Sequence, residues 1–281
     1  MGMLSRVGIL TLVATSVLSV PAWAQSVREP IVGDDAAKES DTELAKKIQN
    51  PVGDLISLPF QYNANFGYGP NKGTQSVLNI QPVVPLHLNE DWNVITRTIL
   101  PVVWNPDMAP QAGATSGTAP TSFTAFLSPS RDTNGWLWGA GIVVQAPTIS
   151  NVALGSTVWG SGPSAVLVYS GGPWVAGALV NNIWSFGGTG GASGTSYSTF
   201  LANPFVSYNF DDGWYAFSSP NVTANWKLDG QKWTVPVGGG AGRVFHIGSQ
   251  PVDISLSAYY NMVKPQDGAD WQLSSQLTLA F

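Results

Sequence analysis

A regular alternation of apolar and polar positions marks the C-terminal stretch of the chain. From Trp271 to Phe281, five of the six odd positions are large and apolar, and none of the even positions is. Because successive side chains of a β-strand point to opposite faces, this pattern predicts a strand with one apolar and one polar face. Residues 252–262 alternate in the same way, and so do residues 60–68, where Tyr68 falls in the apolar set.

Tight polar turns divide the rest of the chain into stretches of strand length. Asn134-Gly135 and Asp212-Gly213 are strong hairpin signals, and such turns alternate with longer segments rich in Gly, Ser, Thr and Pro. These features predict an all-β fold, a transmembrane antiparallel β-barrel of about twelve strands with a short helical N-terminal segment; an even strand count brings both termini to the periplasmic side. The predicted strands are 58–68, 76–88, 92–104, 120–130, 136–146, 160–169, 173–186, 197–210, 214–226, 231–247, 252–264 and 270–281.

Prolines within the predicted strands are the weakest point of this interpretation. Each of them removes a hydrogen bond from the ladder. Bulges or shorter strands would accommodate them. They are Pro82, Pro85, Pro101, Pro204, Pro220 and Pro236.

Composition narrows the class of protein. Only 10% of the residues are charged, against about 25% in soluble domains, yet the mean hydropathy of +0.08 is too low for a bundle of membrane helices. The net charge of −5, with no basic patch, argues against nucleic-acid binding. The lack of cysteine excludes disulfides and thiolate metal sites, and the sequence predicts neither a metal nor a cofactor. The expected partners are outer-membrane lipid and a small solute of unknown identity.

The first residues predict export to the bacterial outer membrane. Arg6, an apolar stretch and the cleavage pattern Ala22-Trp23-Ala24 form a signal peptide over residues 1–24, with an uncleaved membrane anchor as the alternative. A more highly charged segment, residues 25–56, follows, and residues 57–281 form the barrel.

Within the charged segment, the sequence predicts a short helix from Ser40 to Gln49. Ser40 or Asp41 can cap its N-terminus, and Asn50-Pro51 ends it. Leu44 and Ile48 give it a narrow apolar stripe. Two interpretations stay open for this segment: a periplasmic lead-in to the barrel, or a plug that enters it.

Tryptophans recur at strand ends. Trp92, Trp174 and Trp214 each lie beside a short turn and have a second tryptophan of the same parity 12, 10 and 12 residues further on. At ~3.3 Å per residue and ~40° tilt, these spacings span roughly 25–30 Å, the height of an apolar band with an aromatic girdle at each edge. A soluble sandwich with tryptophans in its core does not explain the spacing. The predicted membrane-interface aromatics are Trp92, Trp104, Trp136, Trp174, Trp184, Trp214, Trp226, Trp271 and Phe281.

The opposite parity supplies the candidate lumen lining, which is mostly neutral and polar. Such side chains can hydrogen-bond water or a solute without strong ion selectivity. They can equally bond one another and fill a narrow lumen, and about twelve strands lies between the filled and the open barrels. The candidates are Gln61, Asn63, Asn65, Asn79, Gln81, His87, Asn93, Arg97, Asn203, Asn209, Asn221, Asn225, Asp253, Asn261, Gln272 and Gln276.

Charges avoid the predicted strands. Arg97 and Asp253 have lumen parity, which spares them contact with lipid. Arg243 does not, unless the glycine run Gly238-Gly239-Gly240 makes a bulge that turns it inward.

The sequence predicts that the protein is not an enzyme. Its two histidines are His87 and His246, and His246 lies three residues before Ser249, a weak match to a Ser-His lipase pair. An outer-membrane enzyme acting on lipid and a structural or adhesive barrel are the alternatives to a channel. The Gly-rich residues 187–191 precede no helical pattern and predict a flexible loop rather than a phosphate site.

Four stretches carry a family resemblance: Leu44 to Phe60 (LAKKIQNPVGDLISLPF), Leu78 to Pro101, Trp226 to Gly240, and Tyr259 to Leu273. They are similar to the outer-membrane transporter-like proteins grouped with the porins of phenol-degradation meta-pathways, many of which carry the misleading label neuromedin U. The resemblance implies an outer-membrane barrel for uptake or efflux of small, apolar or aromatic compounds, and it offers no catalytic motif. A last strand that ends in phenylalanine, as at Phe281, is what bacterial outer-membrane barrels present to their assembly machinery.

Overall fold

The computed structural model describes residues 40–108, 113–188 and 196–281, and these contain one α-helix and fifteen strand segments. The predicted signal peptide and the residues that follow it up to position 39 lie outside the described residues. The elements are α1 (Asp41–Gln49), β1 (Ser57–Tyr68), β2 (Gly73–Ile80), β3 (Val83–His87), β4 (Trp92–Asn105), β5 (Thr115–Thr118), β6 (Thr121–Pro129), β7 (Trp136–Ala146), β8 (Val158–Gly171), β9 (Trp174–Gly188), β10 (Ser198–Asn209), β11 (Trp214–Ser218), β12 (Val222–Asn225), β13 (Trp233–Ile247), β14 (Gln250–Val263) and β15 (Trp271–Ala280).

The strand segments form one antiparallel sheet that closes on itself. β1 pairs with β15 on one side and with β2 on the other, and β9 pairs with both β8 and β10, so the sheet is a barrel. Three barrel strands are each divided by a break: β2 with β3, β5 with β6, and β11 with β12. Counted once each, the divided strands bring the total to twelve, which confirms the predicted fold class.

Proline explains where the strands break. Pro82, Pro120 and Pro220 lie in the three gaps between the divided segments, because a residue without an N–H cannot complete the ladder there. Pro236 lies where the register between β13 and β14 shifts. The other prolines that the sequence places within strands do lie within β3, β4 and β10; they are Pro85, Pro101 and Pro204.

The two ends of the barrel differ in their connections. We call the end where Ser57 pairs with Ala280 the terminus end; short turns such as residues 172–173 and 248–249 lie there. The opposite end, the loop end, carries the longer connections. The alternation is as predicted, except that residues 115–118, predicted to belong to a loop, pair with β4 as β5.

The outer face of the barrel is a belt of apolar side chains. On β15, Leu273 and Leu277 are exposed, whereas Ser274 between them is buried on the inner side. Trp92 is half-buried beside Trp138, with ring centroids 5.9 Å apart. The other predicted interface aromatics are all exposed, namely Trp104, Trp136, Trp174, Trp184, Trp214, Trp226, Trp271 and Phe281.

Arg243 lies on this outer face, as its parity predicts. It is exposed in β13 and pairs with Trp214 in the register; its guanidinium carbon lies 5.2 Å from the centroid of the Trp214 ring, and its Nε donates to the carbonyl of Asp212 at 3.3 Å. The register runs unbroken through residues 238–240, so no bulge turns Arg243 inward. The cation therefore lies beside the terminus-end turn rather than in the middle of the apolar belt.

Tyr68 corrects the predicted parity of the first strand. The register of β1 against β2 shifts between Phe66 and Tyr68, and Gly67 between them has a φ of 72°. A side chain at Gly67 would also collide with the carboxylate of Asp270. This bulge turns Tyr68 from the expected outer set to the lining of a cavity at the loop end.

Candidate functional site

Helix α1 packs against the inner side of the barrel wall. Ser40 caps it, since its Oγ accepts a hydrogen bond of 3.2 Å from the backbone N–H three residues on. Leu44, on the apolar stripe of the helix, forms a buried cluster with Tyr215 and Val244 of the wall. We call residues 40–56 the inner segment.

A polar contact at the terminus end joins the helix to the wall. Asp41 Oδ1 lies 2.8 Å from Nδ1 of His246, a residue 205 positions away along the chain. His246 and Ser249, the weak lipase-like pair, form no hydrogen bond with each other in the described part of the chain; Ser249 lies in an exposed turn. His246 therefore holds the inner segment rather than a nucleophile.

Two further pairs hold the inner segment. Gln49 donates from Nε2 to Asn209 Oδ1 at 2.8 Å, and Asn209 donates back to Gln49 Oε1 at 3.2 Å. Asp54 Oδ2 lies 2.9 Å from Nε2 of His87. Two predicted lumen residues, Asn209 and His87, thus bond the inner segment; Asn209 is buried, whereas His87 stays exposed.

Beyond the helix, Val52 anchors the inner segment to a different part of the wall. Its N–H donates to Asn50 Oδ1 at 3.0 Å, and its side chain is 2% exposed. Gly139 of the wall leaves room for it, because a Cβ there would lie 3.1 Å from the Val52 Cγ1. The buried cluster around Val52 consists of Ile95, Phe126, Val166, Val168, Val175 and Leu179.

Three of the cavities that the described residues enclose lie along the barrel interior. The inner cavity, about 230 Å³, lies between the inner segment and the wall; the apolar cavity, about 350 Å³, and the outer cavity, about 460 Å³, lie towards the loop end. Arg97 borders both the inner and the apolar cavity, while Asn221 and Gln272 border both the inner and the outer cavity. The cavities therefore adjoin one another along the lumen.

Most of the candidate lumen residues line these cavities. They come from strands on both sides of the seam between β1 and β15, where the even positions of β15 face inward opposite the odd positions of β14. Those that line a cavity are Gln61, Asn63, Asn65, Gln81, Arg97, Asn203, Asn221, Asn225, Asp253, Asn261, Gln272 and Gln276.

Two further candidate lumen residues, Asn79 and Asn93, line none of these cavities and are hydrogen-bonded to neighbouring side chains. Asn79 Nδ2 donates to Gln61 Oε1 at 3.2 Å. Asn93 is buried, and its Oδ1 accepts from the Ser130 hydroxyl at 3.4 Å. Part of the neutral polar set therefore satisfies itself, as the filled-lumen interpretation expects.

A chain of amides orients Arg97. Arg97 Nη2 donates to Gln81 Oε1 at 2.6 Å, and Gln81 Nε2 donates to Gln61 Oε1 at 3.2 Å. Gln61 Oε1 also accepts from Asn63 and Asn79. The guanidinium is thus held at the junction of two cavities by neutral groups.

Asp253 is the charged residue of the opposite sign in the wall. The Tyr215 hydroxyl donates to its Oδ1 at 2.7 Å, and both side chains are buried. Gly242 makes this possible, because a Cβ there would lie 2.4 Å from the Tyr215 ring. The wall glycine therefore lets the tyrosine lie flat and reach the carboxylate.

The sequence did not reveal the apolar part of the lining. Phe126, Val143 and Leu179 border the apolar cavity, although their outward neighbours, such as Ile142 and Val180, are apolar as well. Period-2 alternation cannot assign a face where both faces are apolar. Alternation along strands also makes no prediction for Lys47 and Lys232, because both lie outside the strands. Lys47 borders the inner cavity, and Lys232 borders the apolar cavity.

Two further features are absent from the described residues. No group of three or more His, Asp or Glu side chains gathers there in a way that could hold a metal. No helix in that part of the chain is long and apolar enough to cross a membrane.

Comparison with known proteins yields similarity in structure only. No family model matches the chain, and no curated protein does. A solved outer membrane channel from Pseudomonas putida F1 is 18% identical, with a TM-score of 0.58 over 83% of this chain and 97% of that chain. This likeness shows the barrel fold.

Two further solved structures are more distant in fold. The outer membrane phospholipase of Salmonella typhi has a TM-score of 0.44 at 13% identity, covering 85% of this chain and 97% of that chain. The CymD monoaromatic hydrocarbon channel has a TM-score of 0.41 at 10% identity, covering 85% of this chain and 90% of that chain.

Proposed function

We propose that the chain is an outer-membrane channel that conducts small solutes through the barrel lumen. The apolar outer belt, bordered by exposed tryptophans at both ends, suits a lipid bilayer. The fold likeness to an outer membrane channel agrees with this location. The terminus end then faces the periplasm and the loop end faces the exterior.

One observation carries the proposal: adjoining cavities run along the barrel interior, and neutral amides and hydroxyls line much of the inner and the outer cavity. Such groups can replace the hydration of a polar solute without trapping it. Arg97, Asn221 and Gln272 connect the linings of neighbouring cavities, so a solute has continuous partners along its way.

The inner segment sets the size limit. It fills much of the terminus end, and the space left between it and the wall is about 230 Å³. We therefore expect passage of small molecules only while the inner segment is docked.

Liposome swelling tests the proposal. We expect liposomes that contain the folded protein to swell in glycerol and in a pentose faster than protein-free liposomes, and to swell little in a trisaccharide. Swelling no faster than in protein-free liposomes, for every solute, contradicts the channel.

Paired tryptophan variants show whether solutes use the lumen. Ser257 points into the inner cavity, and its neighbour Leu256 is exposed on the outer face. Ser257→Trp should slow glycerol entry severalfold, while Leu256→Trp should leave it unchanged. Equal rates in both variants would mean that solutes cross by another route.

A further inference from the structure

We propose that the apolar cavity binds a small organic monoanion, a carboxylate carried by an aromatic ring or a short aliphatic chain, with the carboxylate on Arg97. The inference rests on the proposed channel function for the route by which the anion arrives. It names the solute class that this function leaves open.

The charges around the apolar cavity have one sign. Arg97 lies where this cavity meets the inner cavity, and Lys232 lies in the connection at the loop end. Among the described residues that line the cavity, there is no aspartate or glutamate. The chain as a whole has a net charge of −5, so the positive charge around this cavity is opposite in sign to that of the protein. Two cations in a confined space attract anions and raise their local concentration.

Arg97 keeps donors for a ligand. Its Nη2 donates to Gln81, which is a neutral acceptor, and the described residues place no carboxylate within ion-pairing distance of Arg97. A guanidinium has five N–H donors in a planar fork that matches a carboxylate. The amide chain therefore orients the positive charge without neutralising it, and the charge borders open space on two sides.

The apolar part of the ligand would contact a separate, apolar part of the cavity wall. Ile99, Val143, Leu179, Ile183 and Leu201 border the same cavity as Arg97. Its volume of about 350 Å³ is near the lower bound of roughly 300–1,000 Å³ for small-molecule sites, which suits a single ring or a short chain. An apolar wall beside one oriented cation favours amphipathic anions over both inorganic anions and neutral hydrocarbons.

The test measures binding to the folded protein in lipid nanodiscs with three probes: benzoate, neutral benzamide of the same shape, and acetate without the ring. Calorimetry on empty nanodiscs gives the correction for partition into lipid. We expect benzoate to bind about tenfold more tightly than benzamide, because a charge-assisted hydrogen bond is lost, and about tenfold more tightly than acetate, because the ring contact is lost.

Three variants locate the site. Arg97→Gln should weaken benzoate binding about tenfold and leave benzamide unaffected. Arg97→Lys should keep part of the benzoate preference. Arg243→Gln, which removes a cation from the outer face, should change nothing. Heat-modifiable gel mobility checks that each variant is folded; if Arg97→Gln fails to fold, Arg97→Lys and the three wild-type affinities decide.

The outcomes separate the site from the channel. Benzoate that binds wild-type protein no better than benzamide, or equally to the folded Arg97 and Arg243 variants, overturns the proposal even if liposomes swell in glycerol. Arg97-dependent benzoate binding without any swelling supports the site and contradicts the channel. Binding together with a benzoate flux that falls in Arg97→Gln supports both.

Discussion

Two parts of the lumen wall hold their shape by different means. The polar wall comprises β13, β14, β15, β1 and β2. The last four of these strands point serines and amides inward, and many of these bond one another, as Gln272 does with Asn65 at 3.1 Å. The apolar wall, built from β4 and β6 to β9, points valine, leucine and phenylalanine inward and closes around Val52. Hydrogen bonds fix directions, whereas packing excludes water, so the first wall can stay wet and the second stays dry around its cluster.

The inner segment joins both walls by matching their chemistry. Asp41 bonds His246 of the polar wall, and Val52 enters the cluster of the apolar wall. Gln49 bonds Asn209 of β10, which lies between the two walls. The contrast shows that a barrel interior need not be uniformly polar: one part can dock a segment while another solvates a solute.

The largest effect is expected from a charge placed in the apolar wall. Val168 is 1% exposed within the Val52 cluster, so Val168→Asp buries an unpaired carboxylate and should lower the free energy of unfolding by about 3 kcal/mol or more. Asn221→Asp, where the side chain is exposed to the lumen cavities, should change it by less than about 0.5 kcal/mol. Urea unfolding in lipid measures both, and similar losses in the two variants would show that the apolar wall is no more sensitive to a charge than an exposed position of the lumen.

A smaller effect is expected where the polar wall buries a carboxylate. Tyr215→Phe removes the hydroxyl that donates to Asp253, which should cost about 1–3 kcal/mol because an acceptor is left unsatisfied. Phe217→Leu, on the same strand, offers a control for lost packing. In a double-mutant cycle with Asp253→Asn, strictly additive losses would show that the contact contributes nothing.

Val52→Ala tests the docking of the inner segment on the apolar wall. The lost methyl groups should weaken docking by about 1–2 kcal/mol and so increase the time for which the segment is released. Single-channel conductance and hydrogen exchange of residues 41–49 should both rise. Val152→Ala removes a valine that is 80% exposed and should alter neither; an unchanged trace for Val52→Ala would mean that the polar contacts alone hold the segment.

The smallest effect concerns the loop that joins the last two strands of the polar wall. The hydrogen bond from Lys264 lowers the pKa of Asp270 from its usual 3.8. A lowered pKa in the folded state adds stability above the unfolded value and loses it as the pH falls through the folded value. Amide exchange in residues 264–270 should therefore become faster below about pH 4. The pH dependence of exchange in the short turns of the terminus end serves as the reference. Asp270→Asn should remove the additional pH dependence.

The fold was largely predictable because its signals are local. Alternation on β14 and β15 gives faces directly, and Ser40, Glu43 and Asn50 delimit the helix within one residue of Asp41–Gln49. Pro82 and Pro220 mark the positions of two irregularities in the strands. The sequence alone does not show whether each irregularity is a bulge or a gap between strand segments. The sequence does not reveal the bulge at Tyr68, because the Asp270 carboxylate, which leaves no room for a side chain at Gly67, lies more than two hundred positions away.

The site was less predictable because its contacts are distant along the chain. The sequence gives no reason why Asp41 should meet His246 or why Val52 should meet Val168. The apolar wall left no alternation to read, since Leu167 and Val168 are both apolar and face opposite sides. Closure of the barrel, rather than any one strand, decides which of them is enclosed.

The seam between β1 and β15 joins the first strand of the barrel to its last strand, so the barrel cannot close until the last strand is in place. Ser57 pairs with Ala280, and the Phe281 N–H donates to the Ile56 carbonyl at 2.8 Å. Until the last strand is in place, two strand edges of the sheet are unpaired and can pair with the wrong strands. A factor that covers these edges during insertion would therefore reduce misfolding at this seam. Only residues 50–56 join the helix to β1, so the inner segment is tethered at the edge where the barrel closes.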